Sequence, residues 1–196
     1  MGGYRKILFL TSLLLLSSVA CSRGVRVELG DIDFSSLGGD SDVRAEFYLN
    51  TPKSWVVDYE MARELGLPLV FHPKGETFKY AEAVMYAGAL SKIRNGVRSF
   101  EQVMEDDIQE FRKGKPKVEV KRVPDIRTKR DNKSAIVKSF TGGKEGLQSH
   151  EAVAYINEPN IVVMIAISAR SEDAFNEAYP AFKALVESYS FSARNL

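Results

Sequence analysis

Few side chains in this sequence are suited to catalysis or metal binding. The chain has two histidines, His72 and His150, and one cysteine, Cys21. A serine hydrolase would need its nucleophile in a Gly-x-Ser-x-Gly turn, and the sequence has no such motif. Glu151 follows His150, but neighbouring residues of a strand point to opposite faces and are not expected to share one ion. We therefore predict no catalytic residue, no metal site and no cofactor, and we expect that the protein is not an enzyme.

An alternative function would depend on a second group of side chains. Trp55, Asp58 and Tyr59 belong to a predicted strand. His72 begins a predicted turn, His72-Pro73-Lys74-Gly75, further along the chain. An imidazole, a carboxylate and two aromatic rings suit a pocket for a small ligand or a metal ion. If these residues converge, the protein is a periplasmic ligand- or metal-binding domain, or a small enzyme, with its pocket near Trp55 and His72.

Charge is distributed unevenly along the chain. Residues 112–133 hold ten basic and three acidic side chains, a local net charge of +7, although the whole chain has a net charge of +1. One interpretation is a solvated surface, partly neutralised by the acidic residues of the helix predicted just upstream. The other is a docking surface for an acidic envelope protein, an anionic envelope polymer or lipid phosphate. The candidate docking residues are Lys117, Lys121, Arg122, Arg127, Lys129 and Arg130.

The first twenty residues have the pattern of a secretory signal peptide. Arg5 and Lys6 form a positive region, residues 7–20 are mostly apolar, and Ser18-Val19-Ala20 is a small-residue cleavage motif. This apolar run is too short for a membrane-spanning helix, which needs about 20 residues. We therefore expect export, and an exported protein is not expected to bind nucleic acid.

The cysteine at position 21 follows the cleavage motif directly, and these residues resemble the lipobox of bacterial lipoproteins. That resemblance implies that Cys21 is lipidated and anchors the protein, with Ser22 directing it to the outer membrane, facing the periplasm. A lone exposed thiol would be a liability in an oxidising compartment, which favours lipidation. Cleavage after Ala20 by ordinary signal peptidase would instead leave a soluble periplasmic protein.

The remaining chain predicts one α+β domain. Its length of 196 residues suits a single domain, and its 44% hydrophobic content suits a folded one. We interpret residues 21–43 as a lipidated flexible tether, residues 44–191 as the globular domain and residues 192–196 as a tail. Strands are predicted at 45–49, 55–59, 81–90, 118–123, 134–140, 148–156 and 161–169, and residues 67–71 are strongly apolar.

Two helices are predicted, one after Ser99 and one after Ser171, each with an apolar stripe. Pro180 lies inside the second stripe, which continues on both sides of it, and is expected to kink this helix. Hairpin signals between strands indicate antiparallel neighbours. The prediction is an antiparallel sheet of about six or seven strands, flanked by helices.

Two stretches of sequence resemble the PsbP-like family. They are Leu49-Asn50-Thr51-Pro52-Lys53-Ser54-Trp55, and the closing run from Ala152-Val153-Ala154-Tyr155-Ile156 to Phe191. The family includes the extrinsic photosystem II protein, a Ran-binding import factor and many bacterial envelope lipoproteins. The resemblance implies an α/β/α sandwich around an antiparallel sheet, with no shared catalytic machinery. It also implies a non-enzymatic binding or assembly module of the cell envelope.

Overall fold

The structure is a computed structural model that describes residues 24–31, 43–93, 96–142 and 149–195. The predicted signal peptide and Cys21 lie outside the described residues. Among those that are described, no helix combines the length and the apolar character needed to cross a membrane.

The described residues form ten strands and three helices. The strands are β1 (Gly24–Asp31), β2 (Val43–Asn50), β3 (Trp55–Val57), β4 (Leu69–Pro73), β5 (Ala83–Ser91), β6 (Glu119–Arg127), β7 (Ser134–Gly142), β8 (Ser149–Asn157), β9 (Ile161–Ala169) and β10 (Ser190–Asn195). The helices are α1 (Tyr59–Leu65), α2 (Phe100–Gly114) and α3 (Glu172–Glu187).

Seven strands form the main sheet, in the order β3-β4-β5-β9-β8-β7-β6, and every neighbouring pair is antiparallel. The almost wholly apolar β9 lies at its centre and is buried on both faces. β8 and β9 pair across the turn at residues 158–160, as the hairpin signal predicted. The predicted fold class is confirmed.

Both longer helices begin at the predicted caps. The Ser99 hydroxyl oxygen accepts a hydrogen bond from the Gln102 amide at 3.2 Å, and the Gln102 side chain accepts one from the Ser99 amide at 2.7 Å. This reciprocal pair satisfies two amides that a helix start leaves without partners. Ser171 caps α3 in a similar way, by accepting from Ala174 at 3.2 Å. Pro180 lies within α3, and the helix continues beyond it.

The helices cover the two faces of the main sheet. Phe182, Leu185 and Val186 of α3 pack on one face, in a core that also contains Phe47 of β2. Phe100, Val103 and Phe111 of α2 pack on the other face, together with residues of α1. These contacts complete the helix-sheet-helix layers.

A second sheet, in the order β1-β2-β10, corrects the predicted domain boundaries. Residues 24–31 were interpreted as part of a flexible tether, but they form a strand that pairs with β2. Residues 192–196 were interpreted as a tail, but β10 runs to Asn195 and pairs with the other side of β2. The tether prediction gave weight to glycine and aspartate, whereas Val25, Val27 and Leu29 alternate with charged residues, as suits a strand. The C-terminal segment forms a strand because β2 offers it backbone partners.

Candidate functional site

The structure brings together two of the four residues in the predicted pocket. Asp58 caps α1, and its Oδ1 accepts a hydrogen bond from the Met61 amide at 2.9 Å. Its Oδ2 lies 3.6 Å from Nε2 of His72, whose Nδ1 lies 2.9 Å from the Pro73 carbonyl oxygen. Because that carbonyl accepts a hydrogen bond, Nδ1 is the donor. These contacts hold the start of α1 against β4.

The other two residues do not join this pair. In the ladder between β3 and β4, Trp55 is opposite Pro73, and Val56 is opposite His72. Because side chains alternate along a strand, Trp55 and His72 point to opposite faces of the sheet. Trp55 packs against the core on the α3 side. Tyr59 begins α1 and is exposed.

The predicted turn at His72-Pro73-Lys74-Gly75 needs a related correction. His72 and Pro73 belong to β4, since the antiparallel ladder with β3 continues to Trp55. The pocket near Trp55 and His72 is therefore not assembled as the sequence suggested, because the pairing register separates its members.

The described ranges contain no group of three or more His, Cys, Asp or Glu side chains that could hold a metal ion. Glu151 is buried on the α2 side, where its Oε1 lies 2.7 Å from Nζ of Lys115. His150 precedes it on β8 and points to the other face. The two residues are separated as their spacing predicted.

The predicted docking residues lie along one edge of the main sheet. β6 ends the strand order and carries Lys121, Arg122 and Arg127. Lys117 lies in the connection that enters this strand, and Lys129 and Arg130 lie in the turn that follows it. All six residues are exposed. We call this set the basic edge.

Ion pairs partly neutralise the basic edge. Nζ of Lys121 lies 3.0 Å from Glu119, an Arg122 nitrogen lies 3.0 Å from Asp125, and Nζ of Lys129 lies 2.8 Å from Glu187. The three basic side chains are 60–76% exposed. Exposed pairs of this kind stabilise a protein by about 0–1 kcal/mol, so a strongly anionic partner can displace them at little cost.

The backbone of β6 is poorly suited to pairing with a further strand. The register of β6 with β7 shifts between Val123 and Ile126, and Pro124 lies within this irregularity. A bulge, a proline and charged side chains are the usual features by which an edge strand avoids pairing with other chains. The basic edge therefore presents its charged side chains, rather than an open ladder, to a partner.

One basic residue near this edge was missed in the sequence. Lys138 of β7 is directly opposite Arg122 of β6, and both point away from the α3 side. Two cations in a cross-strand pair repel each other, and Asp125 offsets part of that repulsion by pairing with Arg122. Lys138 falls within a predicted strand, but only the register reveals its neighbour.

A shallow cleft of about 380 Å³ lies between α3 and the adjoining part of the sheet. Ser139 and Ala152 form its floor, where their small side chains are opposite each other on β7 and β8. Its wall on α3 includes Phe175 and Tyr179, whose ring centroids are 5.5 Å apart. Burial raises the pKa of Tyr179 above its usual value. The cleft is mostly apolar, and none of its lining residues is charged. They are Val123, Pro124, Ser139, Ala152, Phe175, Asn176, Tyr179 and Pro180.

No protein-family model matches the chain, and no curated protein matches it. Several solved structures do. LpqN of Mycobacterium tuberculosis, described as involved in cell envelope biogenesis, aligns with a TM-score of 0.56 and 14% identity. The alignment covers 86% of this chain and 91% of LpqN. This likeness shows a shared fold.

Two further structures align over most of their length. Cyanobacterial PsbP from Synechocystis aligns with a TM-score of 0.49 and 10% identity, over 92% of this chain and 99% of its own. The Ran-binding protein Mog1p of Saccharomyces cerevisiae aligns with a TM-score of 0.49 and 11% identity, over 85% of this chain and 94% of its own. The likeness to LpqN shows the fold alone, so membership of the PsbP-like family and of its envelope lipoprotein branch stays a prediction.

Proposed function

We propose that this protein is a non-enzymatic binding or assembly module of the bacterial cell envelope, exported by residues 1–20 and anchored through Cys21. The leader pattern and the position of the cysteine support export and lipidation. The fold shared with LpqN, a protein involved in cell envelope biogenesis, is consistent with an envelope protein. Ser22 favours the outer membrane, with the domain facing the periplasm.

The observation that carries the binding role is the basic edge. A chain with a net charge of only +1 gathers six exposed basic residues along a single strand and its two connections. Clustered charge of one sign attracts partners of the other sign and orients them as they approach. The proposed partner is therefore an acidic envelope protein or an anionic envelope polymer.

Replacing Cys21 by Ser tests the anchor. We expect the variant to lose the mass of the lipid and to move from the membrane fraction to the soluble periplasmic fraction, because several acyl chains at ~0.8 kcal/mol per buried CH₂ make anchoring effectively permanent. Mass spectrometry and fractionation of cells provide the measurements. A variant with unchanged mass and unchanged fractionation would exclude lipidation and leave the soluble form.

Charge reversal tests the docking surface. In the variant with Lys121, Arg122, Lys129 and Arg130 all replaced by Glu, we expect cross-linking and pull-down from intact cells to lose the partner. Binding should weaken by at least tenfold, since loss of one close charge pair costs about 1.5 kcal/mol or more. The affinity of the wild-type protein for its partner should also fall as the salt concentration is raised.

The matched control reverses four exposed basic residues away from the basic edge: Lys53, Arg63, Lys74 and Lys79. Both variants change the net charge equally, and circular dichroism with thermal unfolding shows whether each is folded. Partner capture that is lost in the first variant and kept in the control supports the proposal. Equal capture by both variants would exclude the basic edge as the docking surface.

A further inference from the structure

The first described strand begins very close to the proposed anchor. Gly24 is the first residue of β1, three residues after Cys21. Three residues span at most about 11 Å even when fully extended. If Cys21 carries the lipid, as proposed above, the end of the domain that contains Gly24 must therefore lie next to the bilayer.

A short series of contacts links that end of the domain to the turn between β6 and β7. Gly24 is opposite Asn50 of β2, and the Asn50 amide donates to the Ser188 hydroxyl oxygen at 2.9 Å. Just before Ser188, the Glu187 carbonyl oxygen accepts a hydrogen bond from the Lys129 amide at 2.8 Å. The anchored end of β1 and the basic turn thus lie on the same part of the surface.

This turn is held in place and is basic. The Arg130 guanidinium donates to the Ser190 hydroxyl at 3.4 Å, and Nζ of Lys129 lies 2.8 Å from Glu187. Three basic residues, Arg127, Lys129 and Arg130, and two acidic ones, Asp131 and Glu187, give this surface a net charge of +1. Lys133 is not counted because it is paired with the buried Glu158. A membrane surface with anionic lipid attracts basic residues that lie within about a Debye length of it.

A second loop at this end of the sheet presents an apolar side chain to solvent. β5 ends at Ser91, opposite Ile161, next to the turn between β8 and β9. The loop that follows carries Val97, which is 72% exposed. An exposed apolar side chain that faces a bilayer can enter its interface, as the apolar face of an interfacial helix does.

We propose that the β6–β7 turn, with Arg127, Lys129 and Arg130, faces the bilayer and binds anionic phospholipid head groups. This assignment rests on the proposed anchor. It divides the basic edge into two parts: the turn contacts lipid, while Lys117, Lys121 and Arg122 remain available to the envelope partner. Lipid is the favoured ligand of the turn, because an anchor at Cys21 holds this end of the domain beside the bilayer.

Fluorescence quenching of the mature lipoprotein in vesicles tests this orientation. A dye is attached to one of two introduced cysteines. Asn132→Cys lies in the β6–β7 turn, and Thr77→Cys lies in the loop that follows β4, at the other end of the sheet. The vesicles contain phosphatidylcholine, with or without phosphatidylglycerol, and acrylamide in the water is the quencher. In vesicles with phosphatidylglycerol, we expect quenching of the dye at position 132 to fall severalfold, whereas quenching at position 77 stays unchanged.

Two charge variants separate lipid contact from partner binding. Reversal of Lys129 and Arg130 to Glu should restore quenching at position 132, because each basic residue near an anionic surface contributes about a fivefold factor to binding. Reversal of Lys121 and Arg122 should leave quenching unchanged and weaken partner capture. Equal quenching of both dyes in a vesicle-bound protein would overturn the orientation while leaving the proposed function intact. A lipid-free protein that does not remain with vesicles would overturn both the orientation and the proposed anchor.

Discussion

Replacing Glu158 by Ala is expected to lower the free energy of unfolding by about 1.5–3 kcal/mol, because it removes a buried charged acceptor that two side chains share. The Glu158 side chain is 1% exposed, and Nζ of Lys133 lies 2.5 and 2.6 Å from its two oxygens. The Tyr189 hydroxyl also donates to Oε1 at 3.0 Å. Removal of the carboxylate leaves the fully buried Tyr189 hydroxyl without this acceptor, whereas the ammonium of Lys133, whose side chain is 34% exposed, still reaches water.

The tyrosine in this cluster retains its proton. Burial, followed by the negative charge of Glu158, raises the pKa of Tyr189 far above its usual value. Its hydroxyl therefore remains a donor to the carboxylate at pH values where a free tyrosine begins to ionise. The cluster connects three parts of the chain that are distant in sequence: the β6–β7 turn, the β8–β9 turn and the segment that follows α3.

Chemical denaturation with urea, followed by circular dichroism, measures the effect of Glu158→Ala. The matched control is Glu187→Ala, which removes a carboxylate from the exposed pair with Lys129 and should cost about 1 kcal/mol or less. A loss for Glu158→Ala as small as that for the control would show that the buried pair does not stabilise this end of the domain.

The second large effect is expected at Phe182 of α3. Its replacement by Ala should lower the free energy of unfolding by about 3–5 kcal/mol. Phe182 is fully buried between α3 and the main sheet, and its ring centroid lies 5.5 Å from that of Tyr179. The close-packed core cannot collapse fully around the missing ring, so the substitution loses apolar burial and also leaves a cavity.

Phe175→Ala is the matched control, because it removes the same ring from the same helix at a half-buried position that lines the cleft. It should cost less than half as much, since much of that ring already contacts water. Urea denaturation of both variants measures the difference. Equal losses would mean that α3 is held to the sheet evenly along its length rather than through its buried end.

Several elements could be predicted from the sequence because their signals are local. Ser99 and Gln102 lie three residues apart and cap α2 through their own side chains. The apolar run of β9 indicates a central strand, since only a strand covered on both faces can bury such a run. The clustering of basic residues near β6 is likewise visible as composition.

Other features depend on pairing between distant segments, which no local pattern encodes. The alternative with a ligand pocket required Trp55 and His72 to converge, but the register of β3 with β4 places them on opposite faces. Arg122 and Lys138 are neighbours only because β6 and β7 pair in one particular register. A shift of one residue would turn every side chain of a strand to the other face, and so the register decides which residues meet.

The sequence by itself determined the two longer helices, the central hairpin, the fold class and the identity of the basic residues, because propensity, capping and hydrophobic period act within a few positions. Only the tertiary structure decided that residues 24–31 and the C-terminal segment complete a second sheet around β2. It alone placed the basic turn beside Gly24, through contacts between residues that lie 26 to 138 positions apart in the sequence. Such contacts form when the gain from pairing and burial exceeds the entropy lost in closing long loops, and that balance belongs to the whole fold.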